Sequence, residues 1–258
     1  MSDGKTKGGT TASRAGALQS SVNILLHTHY AIRLWEGRKR DAPDETGVKK
    51  KRPEIISMPQ AIARAGNASR DSAADNPYAD MALVRLEEAL QRATLKINEN
   101  VSSLDAILSA VPKGVTLSEV ESADPLNVSV FSRSPLGYRC VWLLVGYDQL
   151  AMKAFQAFHY GLISRSQRDA ILDNGGHAVR QVYGVIQPYR TLAVTRRDIA
   201  EKTTQGLVAI ERNGEPDPDV LSGKKRSSFS PPLKNTLSLI HISEPTRRLM
   251  ASRMPSSA

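Results

Sequence analysis

The chain has 258 residues, of which 40% are hydrophobic and 24% are charged, and its formal net charge is +9. This composition excludes wholesale disorder, and the longest apolar runs are far shorter than the roughly 20 residues that a membrane-spanning helix needs. The single cysteine, Cys140, allows neither an internal disulfide nor a cysteine-based zinc site. The basic start is followed by no apolar segment of the kind found in signal peptides. We therefore expect a cytoplasmic protein.

The positive charge is concentrated at the two ends of the chain. Residues 1–52 and 223–258 each carry a net charge of +6, whereas residues 53–222 carry −3. Basic ends attract polyanions, and nucleic acid is the first candidate. A charge run is, however, more often a solvated segment that binds nothing specific. The charge pattern permits DNA binding without demonstrating it.

Composition also predicts how the chain is organised. Gly, Ser, Thr and Lys dominate the start of the chain, and basic and polar residues dominate its end. Residues 237–248 resemble a string seen in translated sequencing-adaptor read-through, so we expect about residues 235–258 to be non-native. The predicted organisation is a disordered tail over 1–16, a single domain over 17–222 with a charged loop at 37–53, and a disordered basic tail over 223–258.

Apolar periodicity predicts an α+β fold that is predominantly helical, with a small antiparallel sheet and no internal repeat. The predicted strands cover residues 20–28, 128–133 and 138–145, and a Ser-Pro-Leu-Gly turn at 134–137 would join the last two into a β-hairpin. The predicted helices cover 30–38, 59–65, 80–111, 148–163 and 164–187, with a further helix that begins at Thr195.

The chemical motifs of common enzyme classes are absent from the sequence. It contains no phosphate-binding loop, no dinucleotide-binding glycine pattern, no H-E-x-x-H and no nucleophile elbow. His27 and His29 could meet one metal ion on a strand face, with a third ligand from His159, His177 or a carboxylate. Because the full ligand spacing of a zinc site is missing, structural histidines are favoured. We expect no catalytic residues, no metal and no cofactor.

Short motifs along most of the chain carry a resemblance to one family. They include the segments 33–38 (RLWEGR), 76–80 (NPYAD), 135–139 (PLGYR), 147–168 (YDQLAMKAFQAFHYGLISRSQR) and 229–232 (FSPP). In this order, over about residues 16–233, the sequence resembles the integrating conjugative element proteins that are similar to the transcriptional activator AcaB.

The resemblance implies a function and a fold. It implies a DNA-binding transcriptional activator of conjugative transfer genes, carried by an integrative and conjugative element or a plasmid and associated with the bacterial nucleoid. It also implies a ribbon-helix-helix element, in which two antiparallel strands enter the major groove of double-stranded DNA. Since that ribbon is built by two chains, we expect a homodimer, with neither a membrane nor a small-molecule substrate as partner.

A second hypothesis is that the chain belongs to this family but does not bind DNA. The chain could be a non-enzymatic interaction or scaffold protein of the conjugation or element-maintenance machinery. The long apolar stripe of the 80–111 helix and the negative charge of the central region would support protein partners as well as they support dimerisation.

The sequence offers two placements for a ribbon-helix-helix element. The first uses the strand 138–145 and the two helices that follow. Arg139 would then reach a guanine edge, while Ser164, Arg165 and Ser166 would present the start of the second helix to a phosphate. The objection is that this strand is apolar on both faces.

The second placement uses the strand 20–28. Asn23 and His27 would point outward from it, and both placements stay open at this point. The basic residues that would lie nearby are Arg33, Arg38, Lys39 and Arg40.

Overall fold

The computed structural model describes residues 22–39 and 54–233. These residues form a predominantly helical α+β fold with one small antiparallel sheet, as predicted. Arg40 and the suspected non-native residues 235–258 lie outside the described ranges. The elements are β1 (Val22–Leu26), α1 (His29–Glu36), α2 (Met58–Ala73), α3 (Pro77–Ser109), β2 (Leu126–Val130), α4 (Pro135–His159), α5 (Arg165–Ile186), α6 (Arg196–Ala200), α7 (Thr204–Asn213) and α8 (Pro218–Leu221).

The sheet is a two-stranded ribbon whose strands are about 100 residues apart in sequence. β1 pairs with β2 in antiparallel register, and Ile24 lies opposite Val128 at the centre. The predicted strands at 20–28 and 128–133 are therefore close to the observed ones. The predicted partner of the second strand was wrong, because β2 pairs with β1 and does not form a hairpin with residues 138–145.

Residues 138–145 belong to helix α4. The Ser134 side chain accepts a hydrogen bond from the Gly137 amide, and Pro135 occupies the first turn, so the predicted turn residues are a helix start. α4 packs against α2, α3 and α5. Because the helix is covered on several sides, its sequence lacks the one-sided periodicity by which an amphipathic helix is recognised.

Helix α3 crosses the body of the molecule and buries its stripe within the same chain. The 33-residue helix packs against α2, α4 and α5. The buried residues of its stripe include Leu83, Leu86, Leu90, Ile97 and Leu104. The predicted helix at 80–111 is confirmed, but its stripe needs no second chain to cover it.

The fold contains two strand–helix–helix units, β1–α1–α2 and β2–α4–α5. In each unit a Thr or Ser caps the first helix, and a Ser-x-x-Gln capping box starts the second. The capping residues are Thr28 and Ser57 in the first unit and Ser134 and Ser164 in the second. The units differ in helix length, with 8 and 16 residues against 25 and 22, and α3 separates them. These differences hide the repeat from a search of the sequence.

The segment 223–233 lies against the helical body, although composition predicts a tail there. Arg226 bonds to Asp80 at 3.1 Å, the Ser228 amide donates to Glu87 at 2.9 Å, and Phe229 packs on the main core. The Thr195 cap of α6 is confirmed, with its capping box to Asp198. Within the two described ranges, no helix is long and apolar enough to span a bilayer.

Candidate nucleic-acid interface

The ribbon has a buried face and an exposed face. The inward side chains are all apolar and pack on the helical core; they are Val22, Ile24, Leu26, Leu126, Val128 and Val130. The outward side chains Asn23, Leu25, Asn127 and Ser129 are exposed. Asn23 lies opposite Ser129, and Leu25 lies opposite Asn127. One small surface therefore presents two carboxamides, a hydroxyl and an apolar side chain, which are groups that contact base edges in the major groove.

A buried carboxylate fixes the ribbon to the helices. Asp148 of α4 accepts hydrogen bonds from the His27 amide at 2.7 Å, the Thr28 amide at 2.9 Å and the Thr28 hydroxyl at 2.6 Å. Asp148 is 1% exposed, so these charge-assisted bonds are shielded from water. The end of β1 and the start of α1 are thus held in one orientation on α4.

The sequence predicts an outward position for His27 and offers His27 and His29 as one metal-binding pair. His27 is half-buried, and its Nδ1 accepts a hydrogen bond from the Ser122 amide at 3.2 Å. His29 is the first residue of α1, and burial followed by the charge of Arg33 lowers its pKa. No group of three or more His, Cys, Asp or Glu side chains in the described part of the chain is arranged to hold a metal.

The first turn of α2 lies beside the C-terminal end of β2. Pro59 of α2 and the strand-end residues Ser129, Val130 and Phe131 line one open groove of about 440 Å³. Arg133 lines the same groove, and its side chain is exposed. One end of the ribbon is therefore flanked by a helix N-terminus and a basic side chain.

Two predicted basic residues lie at the same helix start. The main chains of Arg38 and Ile55 pair through hydrogen bonds of 2.8 and 3.0 Å. Ile55 lies two residues before Ser57, the cap of α2. Gly37 makes this approach possible: its φ is 75°, and a Cβ there would lie 2.6 Å from the Ser57 nitrogen. Lys39 follows and is exposed.

The first turn of α5 lies beyond the opposite end of the ribbon. Tyr30, just after β1, contacts Phe155 of α4 with ring centroids 5.7 Å apart, and the Arg168 guanidinium of α5 lies 5.4 Å from the Phe155 ring centroid. The Arg165 side chain, three residues before Arg168, is 82% exposed and 3.8 Å from Asp169. Helix starts carry partial positive charge and favour anions.

The serines at this helix start are arranged as a cap. Ser164 Oγ accepts a hydrogen bond from the Gln167 amide at 3.2 Å and lies 3.0 Å from Ser166 Oγ. The Gln167 side chain in turn accepts from the Ser164 amide at 2.7 Å. The capping box predicted from the sequence is therefore present.

The structure brings together residues from both predicted placements. Arg38 and Lys39 lie toward one end of the ribbon, and Ser164, Arg165 and Ser166 lie toward the other. The strand between them is β1 paired with β2, rather than a strand at 138–145. Arg33 is exposed in the last turn of α1.

Arg139 has a different environment. It lies in the first turns of α4, and its guanidinium is 5.0 Å from the ring centroid of Phe229 in the C-terminal segment. A base contact by Arg139 was predicted for a strand at this position, where residues 138–145 are instead helical. A DNA contact by Arg139 is still only a prediction.

The sequence patterns did not single out Asn127, Ser129 or Arg133. A signal for the first two was available, since the alternation Leu-Asn-Val-Ser-Val of β2 mirrors Val-Asn-Ile-Leu-Leu of β1. The pairing of β1 with β2 is what turns this alternation into a shared surface.

Three buried charged residues, Asp75, Asp80 and Arg196, form a network with the partly buried Arg226 of the C-terminal segment. Arg196 is fully buried and bonds to Asp75 at 2.8 Å and to Asp80 at 2.5 Å. Asp80 also accepts from Arg226. Buried charges need such partners, so these two arginines are occupied by the fold itself.

Comparisons with known proteins define the class of molecule. The family model described as transcriptional regulator AcaB matches residues 14–234, which is most of the chain. The chain therefore belongs to the AcaB family of transcriptional regulators, as its sequence motifs predicted.

The crystal structure of selenomethionine-containing AcaB from uropathogenic E. coli is a distant structural relative. It is 12% identical to the chain, with a TM-score of 0.49, over 78% of this chain and 94% of that one. A likeness of this size adds nothing to the family assignment. A comparison with curated protein sequences finds no match.

Proposed function

We propose that this family member is a DNA-binding transcriptional activator of conjugative transfer genes that inserts the outward face of the β1–β2 ribbon into the major groove. The observation that carries the proposal is one exposed ribbon face, rich in side-chain amides, with a helix start beyond each end. The major groove admits a two-stranded ribbon, and five residues per strand span about 17 Å. The activator role and a place at the bacterial nucleoid rest on the family resemblance.

The base contacts in this proposal come from the four outward ribbon residues. Asparagine pairs well with the N6 and N7 groups of adenine, so Asn23 and Asn127 are assigned to adenines. Ser129 can hydrogen-bond to several bases, and Leu25 provides apolar contact for a thymine methyl group.

The phosphate contacts come from the two ends. At α5, the Arg165 side chain and the amides of the first turn would hold one backbone phosphate. At α2, Pro59 removes one amide from the helix start, so Arg38 and Lys39 supply more of the attraction there. Such contacts position the protein and make its affinity strongly dependent on salt.

The predicted homodimer is not required by this arrangement. It was expected because a ribbon needs two strands and because the α3 stripe needs a cover. Within the described ranges, one chain supplies both strands and covers the stripe. The homodimer stays a prediction.

The test compares ribbon variants on specific and random DNA. Fragments that the tagged protein recovers from a host carrying the element are used for anisotropy titrations. We expect the double variant Asn23→Ala with Asn127→Ala to lose about 1–3 kcal/mol of binding free energy per asparagine on the recovered fragments. Its affinity for random duplex should change little. The matched control is Asn98→Ala, which removes an exposed carboxamide from α3.

Two results would contradict the proposal. Equal weakening by the α3 control would show that the ribbon is not the reading surface. A wild-type protein that binds no DNA at any salt concentration would instead favour the scaffold hypothesis.

A further inference from the structure

We infer that one chain reads an imperfect inverted repeat whose two halves are distinguished by Leu25 and Ser129. This inference rests on the proposed function, since it concerns the DNA that the ribbon would read.

The first step is the local two-fold symmetry of the ribbon. An antiparallel pair centred on Ile24 and Val128 has an approximate two-fold axis between these residues. Rotation about that axis places Asn23 on Asn127 and Leu25 on Ser129. The inward positions match in kind, because all six are apolar.

The second step is what the symmetry implies for contacts with bases. The two asparagines are equivalent under the rotation, so they would meet the same type of base in opposite halves of the site. Asparagine favours adenine, and the target would carry an adenine at both positions. DNA has its own two-fold axes, which is why symmetric proteins bind palindromes.

The third step is the break in this symmetry. Leu25 is 47% exposed and has no hydrogen-bonding side-chain group, whereas its equivalent Ser129 has a hydroxyl. Leu25 would favour a thymine methyl group, and Ser129 would favour a hydrogen-bonding edge. The two half-sites should therefore differ at the base next to the shared adenine.

The flanking residues are also unequal. Phe131, 66% exposed just after β2, is equivalent to the half-buried His27 after β1. The start of α2 carries Pro59 where α5 carries Ser166, each the second residue of its helix. Backbone contacts are thus expected to be uneven, which favours one orientation on the DNA.

The fourth step concerns stoichiometry. Because both strands of the ribbon come from one chain, the groove is filled without a second copy. The reading unit is a single chain, unlike a ribbon shared between two identical subunits.

The experiment is selection of bound sequences from a random DNA pool with the full-length protein, followed by light scattering on the selected duplex. We expect adenines in both half-sites, a consistent difference beside them, and one chain per duplex. Replacing the differing base pair of either half by that of the other half, which makes the site a perfect palindrome, should reduce affinity about fivefold or more.

The decisive variant is Leu25→Ser, which makes the outward ribbon residues identical in both halves. Its selected motif should become symmetric, while Ser109→Ala, a change on the exposed end of α3, should leave the motif unchanged. Leu25 is exposed, so this replacement should leave the core intact; circular dichroism and thermal unfolding check that.

The remaining outcomes separate the two claims. A palindromic wild-type motif, or two chains on each site, would overturn the inference and leave DNA binding by the protein intact. Failure to enrich any sequence would overturn the proposed function, and the inference with it.

Discussion

Positively charged side chains have different roles in two regions of the molecule. Arg196 of α6 and Arg226 of the C-terminal segment are bonded to carboxylates and take part in holding the fold together. Near the ends of the ribbon, Lys39, Arg133 and Arg165 are exposed. The net charge of the chain does not distinguish these groups. Their burial and partners do, and only the second group is available to a polyanion.

The largest expected effect comes from replacing the buried Arg196. Arg196→Met would leave Asp75 without this partner and Asp80 with Arg226 as its remaining cation. We expect a loss of about 3–5 kcal/mol in the free energy of unfolding, because two buried carboxylates each lose a charged partner. Urea denaturation measures it.

The matched control is the next residue. Arg197 is 74% exposed and pairs with Glu201 on the surface. Arg197→Met should change stability by less than about 0.5 kcal/mol. Equal effects at the two positions would remove the distinction between buried and exposed arginines.

A smaller effect concerns Glu87, which helps to hold the C-terminal segment. Burial raises the pKa of Glu87, but hydrogen bonds from Ser227 and Ser228, with the charge of Arg139, outweigh it and lower the pKa below its ordinary value of 4.5. A carboxylate with a lowered pKa stabilises the fold above the pKa of the unfolded chain and loses this contribution as pH falls through the folded pKa.

We therefore expect Glu87→Gln to lower the free energy of unfolding by about 1–2 kcal/mol at pH 7. The difference from the wild-type protein should shrink as the pH is lowered to 3. Urea denaturation of both proteins across this pH range measures the difference. A difference in the free energy of unfolding that stays constant with pH would show that the charge of Glu87 does not help to hold the C-terminal segment.

The smallest effect is at the exposed group. Arg165→Ala should weaken binding to specific and random DNA about equally, and should lower the salt slope by about one unit. Arg197→Ala removes a similar surface ion pair at another helix start and should leave the slope unchanged. Arg139→Ala should also leave it unchanged, because Phe229 packs against that guanidinium; a lower slope would restore Arg139 as a DNA contact.

The sequence predicts the parts of this fold that depend on local chemistry. The α3 periodicity and the Ser164 capping box are both present, because a helix stripe and a helix cap depend on residues three or four positions apart. The strand β1 also follows from its own alternation.

Long-range contacts explain what the sequence missed. Nothing near Ile24 indicates that its partner is Val128, and the hairpin prediction preferred a neighbour because nearby strands often pair. The apolar run at 138–145 resembles a buried strand until its helical neighbours are known. Each predicted placement therefore holds residues near one end of the ribbon, and the β1–β2 pairing relates the two sets in space.

The central claim is that the ribbon face contacts DNA, and site-specific photo-crosslinking tests it most directly. A photoreactive phenylalanine analogue is introduced at Leu25 on the ribbon or at Leu95 on α3, both exposed leucines, at 47% and 62%. With recovered DNA fragments, we predict crosslinks from position 25 and none above background from position 95. Crosslinks from position 95 without any from position 25 would contradict the account.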